Sequence, residues 1–365
     1  MVALQLLAFC RAGFEQECRL ELEAVIAETG RAAAGAGAAG SGYVTIQPEH
    51  SGDGGILLEK ISFRHLVFTR HLVAVAAEEV ALTPGDRIEG LRDRLKAMTQ
   101  WIGPFSDVWL GWPDAEAGRV LAPLCHSLDG RLGALLREEG IWVPEGGGVR
   151  GEVVFLSGTR AMTGYSLPYN SSRWPMGLPR LRLPPESPSR SALKLEEALV
   201  TFANEAMTPR AGQTAVDLGA APGGWTWSMV RRGIKVTAVD RGALAAPVLA
   251  SPLVRHVRED GFRFQPHPPA DWLLCDIVDQ PRRVADLIAR WGSRGWCRGA
   301  VFNLKLPMKK RWEEVQLCRE RMVATLRQAG IPFHLYLRQL YHDREEVTGV
   351  LNMINKKKGF PPSRE

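Results

Sequence analysis

The chain has 365 residues, of which 45% are hydrophobic and 24% charged, with a formal net charge of +6. Those values exclude a disordered or fibrous chain and leave room for two or three compact units. The mild positive charge favours an anionic partner such as nucleic acid without reaching a histone-like excess. Six cysteines, Cys10, Cys18, Cys125, Cys275, Cys297 and Cys318, form no CxxC pair, which argues against a zinc ribbon or disulfide framework and for reduced, buried thiols. The apolar start Val2 to Cys10 is short, lacks a preceding basic region and has no cleavage site, and no stretch approaches the roughly 18–20 apolar residues of a membrane span. A cytoplasmic protein with no membrane association is expected.

In chain order, Ala3 to Cys10 reads as a buried strand, and Gly13-Phe14 opens an amphipathic helix over 15–28. The Ala/Gly-rich stretch 32–42 is a poor helix because glycines interrupt it. Strands are expected at 43–47, 66–77, 107–111 and 151–156, with 161–167 as a hairpin partner and a helix near 127–139. This half predicts an α+β region. From Pro168 to Pro188 six prolines alternate with Arg173, Arg180 and Arg182, which no helix or central strand tolerates, so the boundary falls there. From Ser191 the pattern alternates: helix 194–206, strand 215–218, helix 225–232, strand 236–239, strand 272–275, helix 282–291, strand 300–304, helix 311–329 and strands near 333–340 and 347–353. Such alternation predicts a mostly parallel sheet covered on both faces.

The sharpest motif is Asp217-Leu218-Gly219-Ala220-Ala221-Pro222-Gly223-Gly224, set between an apolar strand and a helix. Glycines there admit a close ligand, and the acidic residue before Gly219 replaces the G-x-G-x-x-G that seats a pyrophosphate. Negative charge at that point suits the cationic methionine moiety of S-adenosyl-L-methionine. Asp240 ends the next strand about 20 residues after Gly219, the distance at which an acid holds a ribose diol. Asp260, in Arg258-Glu259-Asp260-Gly261, is placed to hold an adenine amino group, although an Asp-Gly pair is also an ordinary turn.

Asp276 and Lys305 end two further apolar strands, where ligands of parallel sheets bind. Lys194 opens the helix before the cofactor strand, and Glu346 lies near the last strands. This Lys-Asp-Lys-Glu set resembles that of the FtsJ-like ribose 2′-O-methyltransferases. More narrowly, Ser189-Arg190-Ser191-Ala192-Leu193-Lys194-Leu195-Glu196-Glu197, the 219–224 loop, Phe302-Asn303-Leu304-Lys305-Leu306-Pro307-Met308-Lys309-Lys310 and Leu340-Tyr341-His342-Asp343-Arg344-Glu345-Glu346-Val347-Thr348 are similar to the RlmM family of bacterial 23S rRNA cytidine 2′-O-methyltransferases. Cys10-Arg11-Ala12-Gly13-Phe14-Glu15-Gln16-Glu17-Cys18 extends the likeness to the amino terminus.

The resemblance implies a Rossmann-like class I methyltransferase domain preceded by an α+β THUMP/ferredoxin-like RNA-binding region. The implied division is a ferredoxin-like subdomain at 1–75, a THUMP RNA-binding region at 76–167, a Pro/Arg-rich linker at 168–190, the methyltransferase domain at 191–355 and a basic, disordered tail at 356–365. It implies Lys194, Asp276, Lys305 and Glu346 as catalytic residues. The cofactor would be held by Ser191, Asp217, Gly219, Ala221, Pro222, Gly223, Gly224, Asp240, Asp260 and Asp276. The implied partner is 23S ribosomal RNA or a large-subunit precursor, with no membrane and no obligate protein partner. Sequence leaves open whether Glu345 or Glu346 faces the site, and the family's Glu-Val step favours Glu346.

A ribose hydroxyl must lose its proton as it attacks a sulfonium methyl in line with the departing sulfur, and no metal is needed. Lys305 is the expected base, with its pKa lowered by neighbouring positive charge from the sulfonium and Lys194 and opposed by Asp276. Lys309-Lys310-Arg311 form a basic cluster beside it that suits an RNA backbone. Two other readings remain at this level: a non-catalytic RNA-binding assembly factor that keeps the cofactor fold, and an RNA base methyltransferase. Asp276-Ile277-Val278-Asp279 stands where the latter would carry an Asn/Asp-Pro-Pro-aromatic loop.

Overall fold

The computed structural model describes residues 3–146, 148–203 and 208–354, and divides the chain into two compact units that meet in sequence between Pro179 and Arg180. The basic tail from 356 and the end of the helix expected over 194–206 lie outside the described residues.

The first unit runs β1 (Leu4–Phe9), α1 (Glu15–Glu28), β2 (Ala33–Ala36), β3 (Tyr43–Pro48), α2 (Asp53–Lys60), β4 (His71–Ala76), β5 (Val80–Ala81), α3 (Arg87–Ile102), β6 (Asp107–Gly111), α4 (Glu116–Arg119), α5 (Ala122–Glu138), β7 (Arg150–Ser157) and β8 (Arg160–Ser166). Its sheet has the order β2-β3-β1-β4-β8-β7-β6, with β5 beside β8. The first four of these strands, with α1 and α2, make a βαββαβ ferredoxin-like arrangement. Pairing of β4 with β8 then continues the same sheet into the β5–β8 region, so residues on either side of position 76 share one sheet.

Strand β4 is shorter than the 66–77 expected. The backbone amides of Val67, Phe68 and Thr69 donate to the carboxylate of Glu21 on α1, so they are spent before the sheet begins. The glycine-rich stretch after Ala32 is an edge strand, with Gly35 close to Arg19 and Ile46. Helices α2 and α3 lie outside the sequence expectation, although Leu91, Leu95 and Met98 are spaced at helical intervals and buried. The proline-rich segment is held to this unit over its first half. Asn170 accepts from Phe63 N at 3.0 Å and donates to Leu58 O and Ile61 O, and the buried Met176 sulfur accepts from Trp112 N at 3.2 Å.

The second unit runs α6 (Ala192–Thr201), β9 (Thr214–Leu218), α7 (Gly224–Val230), β10 (Lys235–Val239), α8 (Ala246–Leu249), β11 (Val254–Val257), β12 (Trp272–Cys275), α9 (Pro281–Ser293), β13 (Gly299–Lys305), α10 (Arg311–Gln328), β14 (Phe333–Arg338) and β15 (Glu346–Met353). The order is β11-β10-β9-β12-β13-β15-β14, parallel except for β15, which runs against both neighbours. Strands such as Leu273-Leu274-Cys275 are apolar throughout because both faces are covered. On α9 the side chains of Val284, Leu287, Ile288 and Trp291 form the buried stripe, each contributing about 1.5–3 kcal/mol by leaving water. Trp272 and Trp291 are core residues, and Trp296 packs edge-on against Trp291. All six cysteines are buried and unpaired. Among the described residues no helix is long and apolar enough to cross a membrane.

Candidate active site

The site forms where the parallel strands end. Lys305 is the last residue of β13 and Glu346 the first of β15, and the antiparallel register sets them directly opposite one another. Gly349 permits that pairing: a Cβ there would meet the Phe302 ring at 2.2 Å, so any side chain would force the buried ring to move. Asp276 follows β12, and Lys194 sits in the first turn of α6.

These four side chains meet. The Lys305 amine donates to Asp276 Oδ1 at 2.7 Å and also contacts the Glu346 carboxylate. Lys194 contacts Glu346 and lies 3.8 Å from Asp276 Oδ2. Each lysine therefore faces both carboxylates in an alternating ring. Glu346 is 5% exposed at its side chain, whereas the other three lie between 17% and 22%. The choice between neighbouring acids is resolved by alternation: Glu346 points into the cluster, and Glu345 points to Arg311 at 2.7 Å on the outside.

Burial by itself pushes the Lys305 amine down, and the Asp276 and Glu346 carboxylates outweigh it, so the ammonium is held above its ordinary value. This corrects the expectation of a lowered pKa. The carboxylates are within hydrogen-bond reach and there are two of them, where sequence weighed only Asp276. The basic cluster also divides: Lys309 and Lys310 are exposed, while Arg311 is half-buried against Glu345.

Beside the ring lies a cavity of about 560 Å³ whose lining includes Gly219, Ala221, Asp240, Asp260 and Asp276 from the expected set. Asp240 is held by Ala221 N at 3.0 Å and Gly242 N at 2.7 Å. Asp260 lies three residues beyond β11 and accepts from Phe262 N at 2.9 Å. It is thus a turn residue and a cavity residue together.

Ser191, Asp217, Pro222, Gly223 and Gly224 stand outside that lining. Asp217 is buried with Oδ2 accepting from Thr226 Oγ1 at 2.6 Å, while Oδ1 has no protein partner. Burial pushes its carboxyl up to about 7 despite the Thr226 bond. The loop glycines are required first by the protein itself. At Gly219, with φ +77°, a Cβ would lie 2.9 Å from Ile277 Cγ1, and at Gly224 it would lie 2.4 Å from Ser191 Oγ. Gly219 thereby lets the loop after β12, which carries Asp276, close against the loop after β9.

Comparison with known proteins agrees with this layout. Residues 3–73 match the RlmM ferredoxin-like domain and residues 188–319 match the FtsJ-like methyltransferase. The protein called ribosomal RNA large subunit methyltransferase M in Xanthomonas oryzae pv. oryzae (strain PXO99A) is 43% identical over 349 residues, spanning 94% of this chain and 97% of its own. The chain belongs to the ribosomal RNA large subunit methyltransferase M family. A second member, from Xylella fastidiosa (strain M12), is 44% identical over 360 residues at the same coverage. Among solved structures, TrmN from Thermus thermophilus is 18% identical, covering 96% of this chain and 100% of its own with a TM-score of 0.35.

Within this family member, several residues of the site carry no role in the sequence reading. Phe262, Ile277 and Arg283 line the cavity, with the Arg283 guanidinium 4.6 Å from the Phe262 ring centre. Glu197, one turn after Lys194, is buried and accepts from Tyr341 N at 2.7 Å and His342 N at 2.8 Å, which docks α6 on the segment before β15. Asn303 and Thr348 are buried polar residues set among apolar neighbours, Phe302 and Leu304 on β13 and Val347 and Val350 on β15. That mismatch is the signal by which sequence could have found them.

Proposed function

We propose that the chain transfers the methyl group of S-adenosyl-L-methionine to the ribose 2′-hydroxyl of a cytidine in 23S ribosomal RNA or a large-subunit precursor. The observation that carries this reading is the alternating ring of Lys194, Asp276, Lys305 and Glu346 at the edge of an acid-lined cavity. The names and extent of the family relatives supply the ribosomal substrate. Residues 76–167, with the arginines of the 168–190 segment, are the part we assign to RNA contact outside the site.

The residues present fit the cofactor. The partnerless Asp217 Oδ1 beside the glycine loop suits a cationic group, Asp240 at the end of β10 suits a ribose diol, and Asp260 suits an adenine amino group. Gly219, Ala221 and Asp276 complete that contact, with Ser191, Pro222, Gly223 and Gly224 framing the loop. When bound, S-adenosyl-L-methionine supplies an electrophilic sulfonium methyl group.

The chain's own residues then act on the nucleophile. Lys305 Nζ takes the 2′-hydroxyl proton as the oxygen attacks, and Asp276 and Glu346 aim that amine. Lys194 shares both carboxylates, so neither turns fully toward Lys305. The carboxylates hold Lys305 as an ammonium in the chain by itself, so base action draws on its neutral fraction, which the sulfonium charge of bound cofactor would enlarge. Cys275, directly before Asp276, is buried and its thiol is pushed up to about 12, which removes it as a nucleophile for base-carbon methylation.

The test is to incubate the protein with S-adenosyl-L-methionine and 23S RNA from cells lacking the enzyme, and to identify the modified nucleoside by mass spectrometry. The expected product is 2′-O-methylcytidine. A methylated base, or cofactor binding without transfer to any RNA, would refute the proposal.

A further inference from the structure

Behind the ring lies a second polar layer that the proposed reaction leaves unused. Asn303, two residues before Lys305 on β13, donates through Nδ2 to Asp276 Oδ1 at 2.9 Å. Its Oδ1 accepts from Thr348 Oγ1 at 2.7 Å, and Thr348 is its direct cross-strand partner on β15. Beyond Thr348, both carboxyl oxygens of Asp343 lie 3.0 Å from Thr348 Oγ1, and Leu340 N donates to Asp343 Oδ2 at 2.9 Å. Asn303 and Thr348 are 0% exposed and Asp343 is 1% exposed, so bulk water does not reach these bonds.

Counting protons orients the whole chain. Asp276 Oδ1 already accepts from Lys305, so Asn303 must turn its NH₂ group toward Asp276 and its carbonyl toward Thr348. A carbonyl cannot donate, so the single hydroxyl hydrogen of Thr348 is spent on Asn303. The remaining contact, Thr348 Oγ1 to Asp343, then needs a hydrogen from the carboxyl group. An ionised Asp343 has none to give.

We infer that Asp343 is a buried neutral carboxylic acid that donates to Thr348 and, through Thr348 and Asn303, acts as the positioning residue for the Asp276 carboxylate. This rests on the proposed function for the role of Asp276. The surroundings act the same way on balance. Burial raises the Asp343 carboxyl, to about 8, with Glu346 of β15 adding to the rise, the Leu340 amide opposing it, Glu197 of α6 adding and Lys194 of α6 opposing. Asp276 lies three hydrogen bonds from Asp343 along the relay, and Lys305 four. A neutral acid donates in one direction only, which fixes every rotor between it and Asp276.

Asp343→Asn tests this directly, because an asparagine offers Thr348 an N–H and Leu340 N a carbonyl oxygen. At pH 7 its kcat should stay within about threefold of wild type, while Thr348→Val, of the same shape without the hydroxyl, should lose roughly tenfold or more in kcat with little change in KM. Above pH 8, wild-type kcat relative to Asp343→Asn should fall as Asp343 ionises and draws the Thr348 hydrogen away from Asn303. Independently of activity, an infrared difference spectrum between wild type and Asp343→Asn at pH 6 should contain the carbonyl band of a protonated carboxylic acid. Absence of that band overturns the neutral acid. Equal loss of kcat in Asp343→Asn and Thr348→Val, with a flat pH ratio, overturns the relay. A wild type that carries the band but transfers no methyl group to RNA marks failure of the functional reading instead.

Discussion

Glu152 in the first unit and Glu346 in the second are both carboxylates buried among basic side chains, and their surroundings differ in one respect. Glu152 accepts from Ser166 Oγ at 2.7 Å and meets His71 Nε2 at 2.8 Å, while Arg150 stacks 3.5 Å from the centre of the Trp109 ring. Glu152, His71 and Arg150 are all at most 8% exposed. Around Glu346 the two lysines and Asp276 keep 17–22% of their side-chain surface. The first cluster is closed by hydroxyls and an aromatic face, whereas the second is left open on the side of a cavity. A closed cluster holds a sheet together; an open one keeps donors and acceptors available to something that arrives later.

The largest effect that would sharpen this contrast is on the open side. Lys305→Ala is expected to lower methyl transfer by about 10²–10⁴-fold, measured as single-turnover rate at saturating cofactor, with cofactor affinity unchanged. Its unfolding free energy should move less than that of a closed-cluster variant, since Lys194 stays paired with both carboxylates and Asp276 keeps partial contact with water. The pH dependence has a definite sign. In the proposed base role Lys305 works only as the neutral amine, and its pKa is raised, so kcat should climb about tenfold per unit from pH 6 toward 9. A plateau below pH 7 would remove Lys305 from the base role.

Next comes stability at Asp343. Its folded pKa of about 8 lies above the ordinary value of 3.8, so burial of the acid costs most once the pH passes 8 and nothing below 3.8. Denaturant unfolding should therefore find Asp343→Asn close to wild type at pH 4 and increasingly more stable than wild type up to pH 8, by up to about 1.4 kcal/mol per pH unit. On the closed side, Glu152→Leu leaves His71 and Ser166 without their acceptor and should cost roughly 1–3 kcal/mol, with kcat per folded molecule unchanged at saturating RNA. A loss of kcat there with stability intact would break the contrast between the two clusters. The smallest effect is expected at the exposed lysines: Lys309→Ala with Lys310→Ala should lower the slope of log affinity for RNA against log salt by about 2.

The alternation of helices and strands after Ser191, the glycine loop, and the acids at strand ends were all legible, because each is a local pattern with a period or a fixed offset. The same holds for the separate positions of Lys194, Asp276, Lys305 and Glu346. Strand β4 was misread at its start because the amides of residues 67–69 go to Glu21, a side chain 46 positions or more away in sequence, which no local period reports. The glycines of the 219–224 loop were legible as glycines. Their first reason, room for Ile277 at Gly219 and for Ser191 at Gly224, depends on loops brought together by the sheet.

What the sequence by itself determined is which chemical groups are present and on which strand ends they stand. Only the tertiary structure decided how they pair. Antiparallel β15, with Gly349 leaving room for Phe302, sets Glu346 opposite Lys305 and Thr348 opposite Asn303. That placement reverses the expected direction of the Lys305 shift and brings Asp343 into line with Asp276. The reason is distance: a charge interaction is set by the separation of groups in space, and Asp276, Lys305 and the 343–346 segment become neighbours only when β12, β13 and β15 lie side by side.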